Sequence, residues 1–410
     1  VKDMAAFIPS DLIDFFDRPT NPLYLERDAM QAQGEQIVDL VSGNINEQGL
    51  MFPSSIFQKR WKEAMEAACL YRPDPLGQLV ARQAICLYYQ EQGVAFGEEE
   101  VIVTPGTSLS YWYLFKVLAK SGDEILTPRP GYPLLDTIAT LADLHLTYYR
   151  LRKKNRWEID FDHLESQISK KTSAIVLISP HHPTGAVATE EEVEQLADVA
   201  VRYGLPIISD EVFCPFVFSG KRFSRPATLS TPLVATLNGF SKMFALPGLK
   251  IGWIALSGER SSVKRTKDRL ETLSDTFLPV NEIAQFSVPA IFAEGKPFIE
   301  KNRIEIKHRL DEAVLILSQT DMFSFVLPEG GFYITIQIHA PDWEEEAMAL
   351  TLLRRHRVLI HPGFLYDLEP SHCVISFTHP PERLKTSLDK LMGMIREDAP
   401  TPTDTLDMSN

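Results

Sequence analysis

The chain has 410 residues, of which 44% are hydrophobic and 23% charged, and its formal net charge is −14. This length allows one large α/β unit with a smaller companion, and the composition is that of a globular enzyme. The acidic balance disfavours non-specific binding to nucleic acid or anionic membranes. No apolar run approaches the ~18 residues of a membrane span, and the first residues lack the basic-then-apolar pattern of a secretory signal. Cys69, Cys86, Cys214 and Cys373 have no metal-type spacing and lie in apolar surroundings. A cytoplasmic protein with reduced, mostly buried thiols is therefore expected.

In chain order, residues 10–35 read as a helix and a polar arm. Val38-Asp-Leu-Val-Ser-Gly43 reads as a short strand entering a turn. Helices are expected over 54–70 and 78–92, separated by the Pro/Gly-rich Tyr71-Arg-Pro-Asp-Pro-Leu-Gly77. From residue 99 strands and helices alternate, the pattern of a mostly parallel sheet covered on both faces. Strands are read at 100–104, 124–127, 147–150, 173–179 and 206–210, with helices after Gly106 and Tyr132 and over 189–203. Two further apolar runs, Leu233-Val-Ala-Thr-Leu and Ile251-Gly-Trp-Ile-Ala-Leu, close the sheet, and a helix follows over 259–273. A long helix around 298–318, strands at 323–326, 332–338 and 372–377 and a last helix over 381–397 form a smaller α+β part. The expected division is an arm with part of the small domain (1–48), a large domain (49–290), a small domain (291–397) and a disordered tail (398–410) rich in Pro, Thr and Asp.

In open α/β sheets ligands sit beyond the carboxyl ends of the strands. Gly106-Thr107-Ser108 opens a helix there, so its N–H groups and hydroxyls can hold a phosphate; helix capping is the plainer use. Tyr132, after Arg129-Pro-Gly131, offers a stacking face or simple packing. Asp210 ends an apolar strand, and if it is not merely one of a solvated pair with Glu211 it needs a cationic partner. His181 and His182 adjoin at a turn without ligand-type neighbours, so no metal is expected. Between the two closing strands sits Lys242, on a segment broken by Gly239, Pro247 and Gly248. A lysine there loses hydration, which frees the neutral, nucleophilic amine. An anion cradle, a ring platform, a carboxylate and an amine on one edge are the requirements of pyridoxal 5'-phosphate.

The order Tyr71…Gly77…Arg82, Pro105-Gly-Thr-Ser, Pro130-Gly-Tyr-Pro, Pro183-Thr-Gly, Ser209-Asp-Glu-Val, Ser241-Lys and Pro247-Gly-Leu-Lys-Ile-Gly-Trp resembles the class I/II aminotransferases over residues 38 to 395. The resemblance implies fold type I, with a mostly parallel seven-stranded sheet in a large domain plus a smaller α+β domain, and a homodimer with its sites at the subunit interface. It makes Lys242 the Schiff-base lysine, Asp210 the partner of the ring nitrogen and Tyr132 the stacking ring. Gly106, Thr107, Ser108, Ser241 and Lys250 fall at the phosphate, Tyr71 at the neighbouring subunit's phosphate, and Gly43 at the substrate.

Several positions depart from the family pattern. His182 stands for its Asn and Phe213 for its Tyr, both donors to the ring's phenolic oxygen. Gly239 replaces a phosphate-binding hydroxyl. Lys250 replaces an Arg, giving a point charge without the bidentate fork. Val374 replaces the Arg that binds the substrate α-carboxylate, and an aliphatic side chain cannot do that. The expected activity is transamination, with Lys242 as the proton-carrying base and acid, on an unusual amine or amino acid and an oxo acid. Arg129, Arg72 and His372 are the basic residues that stand to replace the missing Arg. A lyase, decarboxylase or cyclase on the same fold is the alternative. A non-catalytic ligand-sensing domain is the reading from another class.

Overall fold

The computed structural model describes residues 15–17, 19–218, 220, 223–340 and 344–397. The expected tail over 398–410 and the start of the arm lie outside the described residues. Among the described residues the large sheet has eight strands: β1 (Val101–Thr104), β2 (Glu124–Arg129), β3 (His145–Lys153), β4 (Trp157–Ile159), β5 (Thr172–Ile178), β6 (Ile207–Asp210), β7 (Leu233–Gly239) and β8 (Gly252–Gly258). Their order is β1-β8-β7-β6-β5-β2-β3-β4. The pairs from β7 through β3 are parallel, and β8 is antiparallel to both neighbours. Seven strands were expected. The eighth, β4, folds back antiparallel on the end of β3, where a nine-residue strand outruns its parallel neighbour β2 and leaves an edge to be paired.

The apolar runs of the central strands are continuous because both faces are covered. Along β5, Ala174, Val176 and Ile178 enter one core while Ile175 and Leu177 enter the other. The same alternation divides Ile207 from Ile208 on β6 and Trp253 from Ile254 on β8. It also aims Asp210 to the side of Ile208, where the helix Thr107–Leu118 packs, and Glu211 to the opposite side.

A smaller sheet, β9 (Phe323–Phe325), β10 (Tyr333–Ile338), β11 (His361–Pro362) and β12 (His372–Ser376), has the order β9-β10-β12-β11 and is antiparallel throughout. Val38–Asp39 pairs in parallel with Val358–Leu359, so the segment leading to Gly43 is held by the C-terminal part of the chain. The helix Pro22–Ala32 packs on Glu345–His356. The helix expected around 298–318 is longer, Glu282–Leu317, and runs through residue 290 with Pro289 and Pro297 inside it. It is half apolar in alternating patches, and its packing against three other helices overrides the two missing N–H groups. Among the described residues no helix is long and apolar enough to cross a membrane.

Two backbones meet where β8 starts. A Cβ on Gly252 would lie 2.8 Å from Gly106 Cα and 3.1 Å from the Thr107 N. Gly106 has φ 110°, the left-handed region that favours glycine. Gly252 thus lets β8 press against the N-terminus of the helix Thr107–Leu118 and set its position. Gly252→Ala is expected to push that backbone aside at a cost of roughly 1–3 kcal/mol. A melting temperature unchanged from wild type would show that the contact is not tight.

Candidate active site

The carboxyl ends of β1, β2, β5, β6 and β7 share one edge of the sheet, and the side chains singled out in the sequence follow them. Lys242 lies on the helical turn Phe240–Met243 directly after β7, a turn where the sequence pattern indicated neither helix nor strand. Its Nζ donates to the Gly43 carbonyl at 3.0 Å. Burial lowers its pKa to about 8, opposed only by Glu47, so a substantial fraction of the amine is neutral near physiological pH. A Cβ on Gly43 would lie 2.4 Å from the Tyr333 hydroxyl and 3.0 Å from Lys242 Nζ. Gly43 therefore brings backbone, tyrosine and lysine together at a point no side chain could share.

Asp210 ends β6 with 8% exposure. Its Oδ2 accepts from the Tyr111 hydroxyl at 2.8 Å and its Oδ1 from the Val212 N–H at 3.0 Å. Among the described residues no cation pairs with it. Burial pushes its carboxyl up to about 6, against the pull of those two donors. Glu211, by contrast, is paired with buried Arg225 at 2.8 Å on the far face. The Asp-Glu pair is thus neither solvated nor a single unit. Cys214 joins this second network through Arg225 at 3.9 Å and also accepts from Asn238 at 3.3 Å, so its surroundings are polar rather than apolar as expected, and Cys69 is exposed.

His182 sits among rings: edge-on to Tyr132 at 5.2 Å and Tyr333 at 4.3 Å, near Tyr366 at 5.5 Å, and parallel to Phe213 at 6.4 Å. Burial, then the charges of His181 and Lys242, hold it neutral, well below the ordinary histidine pKa. Its Nδ1 is buried without a hydrogen-bond partner. Tyr132 has its hydroxyl pushed up to about 12 by burial and then by Asp210. Phe213 is buried and packs edge-on to Phe332. His181 faces away, its Nδ1 bonded to Thr184.

Gly106, Thr107 and Ser108 form the first turn of their helix, whose leading N–H groups have no partner within the helix. Ser241 adjoins Lys242, and Lys250 is exposed in a left-handed conformation two residues before the Gly252 contact. Gly239 cannot carry a hydroxyl side chain as the strands stand, since a Cβ there would lie 2.8 Å from the Ile251 carbonyl.

One named residue is not brought in: Tyr71 is 68% exposed on its loop. Val374 is fully buried in β12, in register between Thr335 and His361, on the face of the small sheet that also carries Tyr333. The basic residues considered as substitutes for an arginine at 374 are engaged or distant. Arg129 pairs with Asp367 at 2.6 Å over the Tyr148 ring, His372 is tied to the Glu369 carbonyl, and Arg72 is exposed. Sequence reasoning missed Tyr111, Tyr333, His361 and Tyr366. Each lies inside an ordinary apolar run or turn, and only tertiary contacts mark it.

These residues fit pyridoxal phosphate. The buried, cation-free carboxylate of Asp210 suits a protonated ring nitrogen, the partnerless His182 Nδ1 suits a polar ring substituent, and the half-buried Lys242 suits an aldehyde.

The chain matches the family model described as aminotransferase class I and II over residues 35–391. It is 27% identical over 387 residues to the glutamate-pyruvate aminotransferase AlaA of Haemophilus influenzae, covering 92% of this chain and 95% of that protein. It is 28% identical over 344 residues to the tyrosine aminotransferase of Mus musculus, covering 81% and 76% respectively. The crystal structure of an aminotransferase from Escherichia coli superposes with a TM-score of 0.85 at 26% identity, covering 92% of this chain and 95% of that one.

Because burial raises the Asp210 pKa from 3.8 to about 6, the folded chain without cofactor binds more protons than the unfolded chain between those values. Its stability therefore falls as pH rises through that window, and the loss is complete above it. Asp210→Asn is expected to melt higher than cofactor-free wild type at pH 8, by roughly 2–3 kcal/mol, with no gain below pH 4. A gain independent of pH would show that Asp210 is not the titrating group.

Proposed function

The chain belongs to the class I and II aminotransferase family, which uses pyridoxal phosphate, and on that premise we propose that Lys242 carries the cofactor and the proton in transamination of an amine donor lacking a conventionally bound α-carboxylate. One observation carries the assignment. A buried Asp210 without a protein cation and a half-buried Lys242 with a lowered pKa end neighbouring parallel strands.

Bound pyridoxal phosphate supplies an aldehyde for amine attachment and a ring that withdraws electrons. Asp210 would hold a proton on the ring nitrogen, and its own burial makes that charge pair strong. Tyr111 and the Val212 N–H orient the carboxylate and keep it from rotating away. The first turn of the helix Thr107–Leu118, with Ser241 and Lys250, would bind the phosphate. Tyr132 and His182 would flank the ring, with His182 as a neutral imidazole. Lys242 Nζ, neutral in part near pH 8, would take a proton from the amine-bearing carbon of the substrate and return it as a general acid. Gly43 leaves room for that nitrogen to move beside Tyr333. The exposed Tyr71 is assigned to the site of a second copy, in a homodimer.

The substrate side of the proposal rests on Val374, which is buried and aliphatic. The same feature favours a second reading, a lyase, decarboxylase or cyclase, for which a bound α-carboxylate is not required.

Borohydride treatment of the cofactor-loaded protein, followed by peptide mass mapping, is expected to place the cofactor mass on Lys242 and nowhere in Lys242→Ala. Labelling of another lysine would end the assignment. Under single-turnover conditions, an amine donor that leaves the cofactor in its amine form identifies transamination. Return of the aldehyde form with altered substrate identifies the second reading.

A further inference from the structure

A hydrogen-bonded chain joins the helix Pro22–Ala32 to the rings around His182. The Tyr24 hydroxyl lies 2.8 Å from His361 Nε2, and His361 Nδ1 lies 2.7 Å from the Tyr366 hydroxyl. Tyr366 is buried, its ring reaches His182, and its carbonyl accepts from Gly131 beside Tyr132. His361 and Val374 are paired across β11 and β12, so they share a face of the small sheet. Where an arginine at 374 would need room and a charge to project, this chain has an aliphatic residue beside an imidazole.

The charge balance around these residues is unfavourable to a carboxylate. Burial holds the His361 imidazole neutral, down to about 4, with Asp39 pulling upward and Arg27 downward. Burial raises the hydroxyl pKa values of Tyr24, Tyr333 and Tyr366, and the Asp39 carboxylate adds a smaller push in the same direction to each. Arg27 lies over the Tyr24 ring at 4.9 Å while bonded to Asp28 at 2.7 Å. A carboxylate placed here would meet the charge of Asp39, and Arg27 is already engaged by Asp28.

The hydrogen-bonding capacity points the same way. A neutral imidazole has one N–H and one accepting nitrogen. One tyrosine must donate to the ring, and the other accepts from it and keeps its own O–H free. With the imidazole proton on Nδ1, Tyr24 donates to Nε2 and the free O–H is that of Tyr366, the end nearer His182, so that hydroxyl offers a donor together with a lone pair. A hydroxyl or carboxamide can both accept from that donor and donate to that lone pair. A carboxylate only accepts.

Resting on the Lys242 assignment, we propose that the Tyr24–His361–Tyr366 chain is the specificity element of this site, selecting an amine donor whose adjacent group is an uncharged hydroxyl or carboxamide over the corresponding α-amino acid. The donor class that fits is a 2-amino alcohol or an amino amide.

The test uses full-length, cofactor-loaded protein and matched donors with methyl, isobutyl and benzyl side chains, each as the 2-amino alcohol, the 2-amino amide, the 2-amino acid and the plain amine. Single-turnover conversion of the cofactor spectrum and its dependence on donor concentration give kcat and KM for each. Wild type is expected to prefer the alcohol or amide over the plain amine by about tenfold, the worth of a hydrogen bond or two, and to rank the amino acid last. In Tyr366→Phe, His361→Val and Tyr24→Phe that preference is expected to collapse, with the change in KM rather than kcat. Tyr24 is only half-buried, so its variant tests the chain even if the two inner ones fold poorly. A wild-type preference for the amino acid, above all one lost in Arg27→Ala, overturns the proposal. So does silence of every alcohol and amide, or a preference that survives all three changes. Conversion that persists in Lys242→Ala would instead sink the assignment on which the proposal rests.

Discussion

A carboxylate removed from water at the end of a central strand is costly unless a positive charge meets it. Asp210 is such a group, and the surrounding residues offer it two neutral donors and no cation. Its placement requires β6 to be flanked by parallel strands, the Tyr111 helix to lie against that face, and the next residue, Glu211, to be satisfied separately by Arg225. The arrangement is inexpensive only when a cation arrives from outside the chain. The apolar surroundings that make Asp210 costly in isolation would make its pairing with a ring nitrogen strong. Tension of this kind, held in place by a large well-packed sheet, belongs to a binding site rather than to a structural core.

Close backbone approach is the second constraint. Gly252 against Gly106, Gly239 against Ile251 and Gly43 against Tyr333 each bring main chain to within the space of a missing Cβ. The first sets the helix N-terminus, the second draws β7 and β8 together before Lys242, and the third brings the lysine to a carbonyl. A Gly at 239 therefore has a packing reason, independent of any hydroxyl that other members carry there. The polar groups of the site owe their positions to these contacts more than to one another.

The wall proposed for the substrate follows a different logic. Tyr24, Tyr333, Tyr366, His182 and His361 supply it with uncharged donors and acceptors near the Asp39 carboxylate. Arg129, which in sequence terms stood to supply the charge, is already neutralised by Asp367. A neutral wall discriminates by which hydrogen bonds are left unmade, and such discrimination can be steep, because a buried donor without a partner costs more than a made bond contributes.

Much of this was legible in the chain before any coordinates. Alternating apolar runs and helices determined a mostly parallel sheet, because strands buried on both faces must be apolar throughout; that alternation places Asp210 and Gly106 at strand ends and Tyr132 and Lys242 just beyond them, while their roles were read from residue chemistry and the family resemblance. The aliphatic Val374 was equally plain from its motif. The tertiary structure decided what periodicity cannot carry. That Asp210 meets Tyr111 depends on a helix packing ninety-nine residues earlier in the chain. That Tyr24, His361 and Tyr366 form one chain depends on residues more than three hundred positions apart. The eighth strand depends on an edge that exists only once the sheet has formed. Local patterns record how each segment is buried, whereas the partner that a buried polar group finds is set by contacts between distant segments.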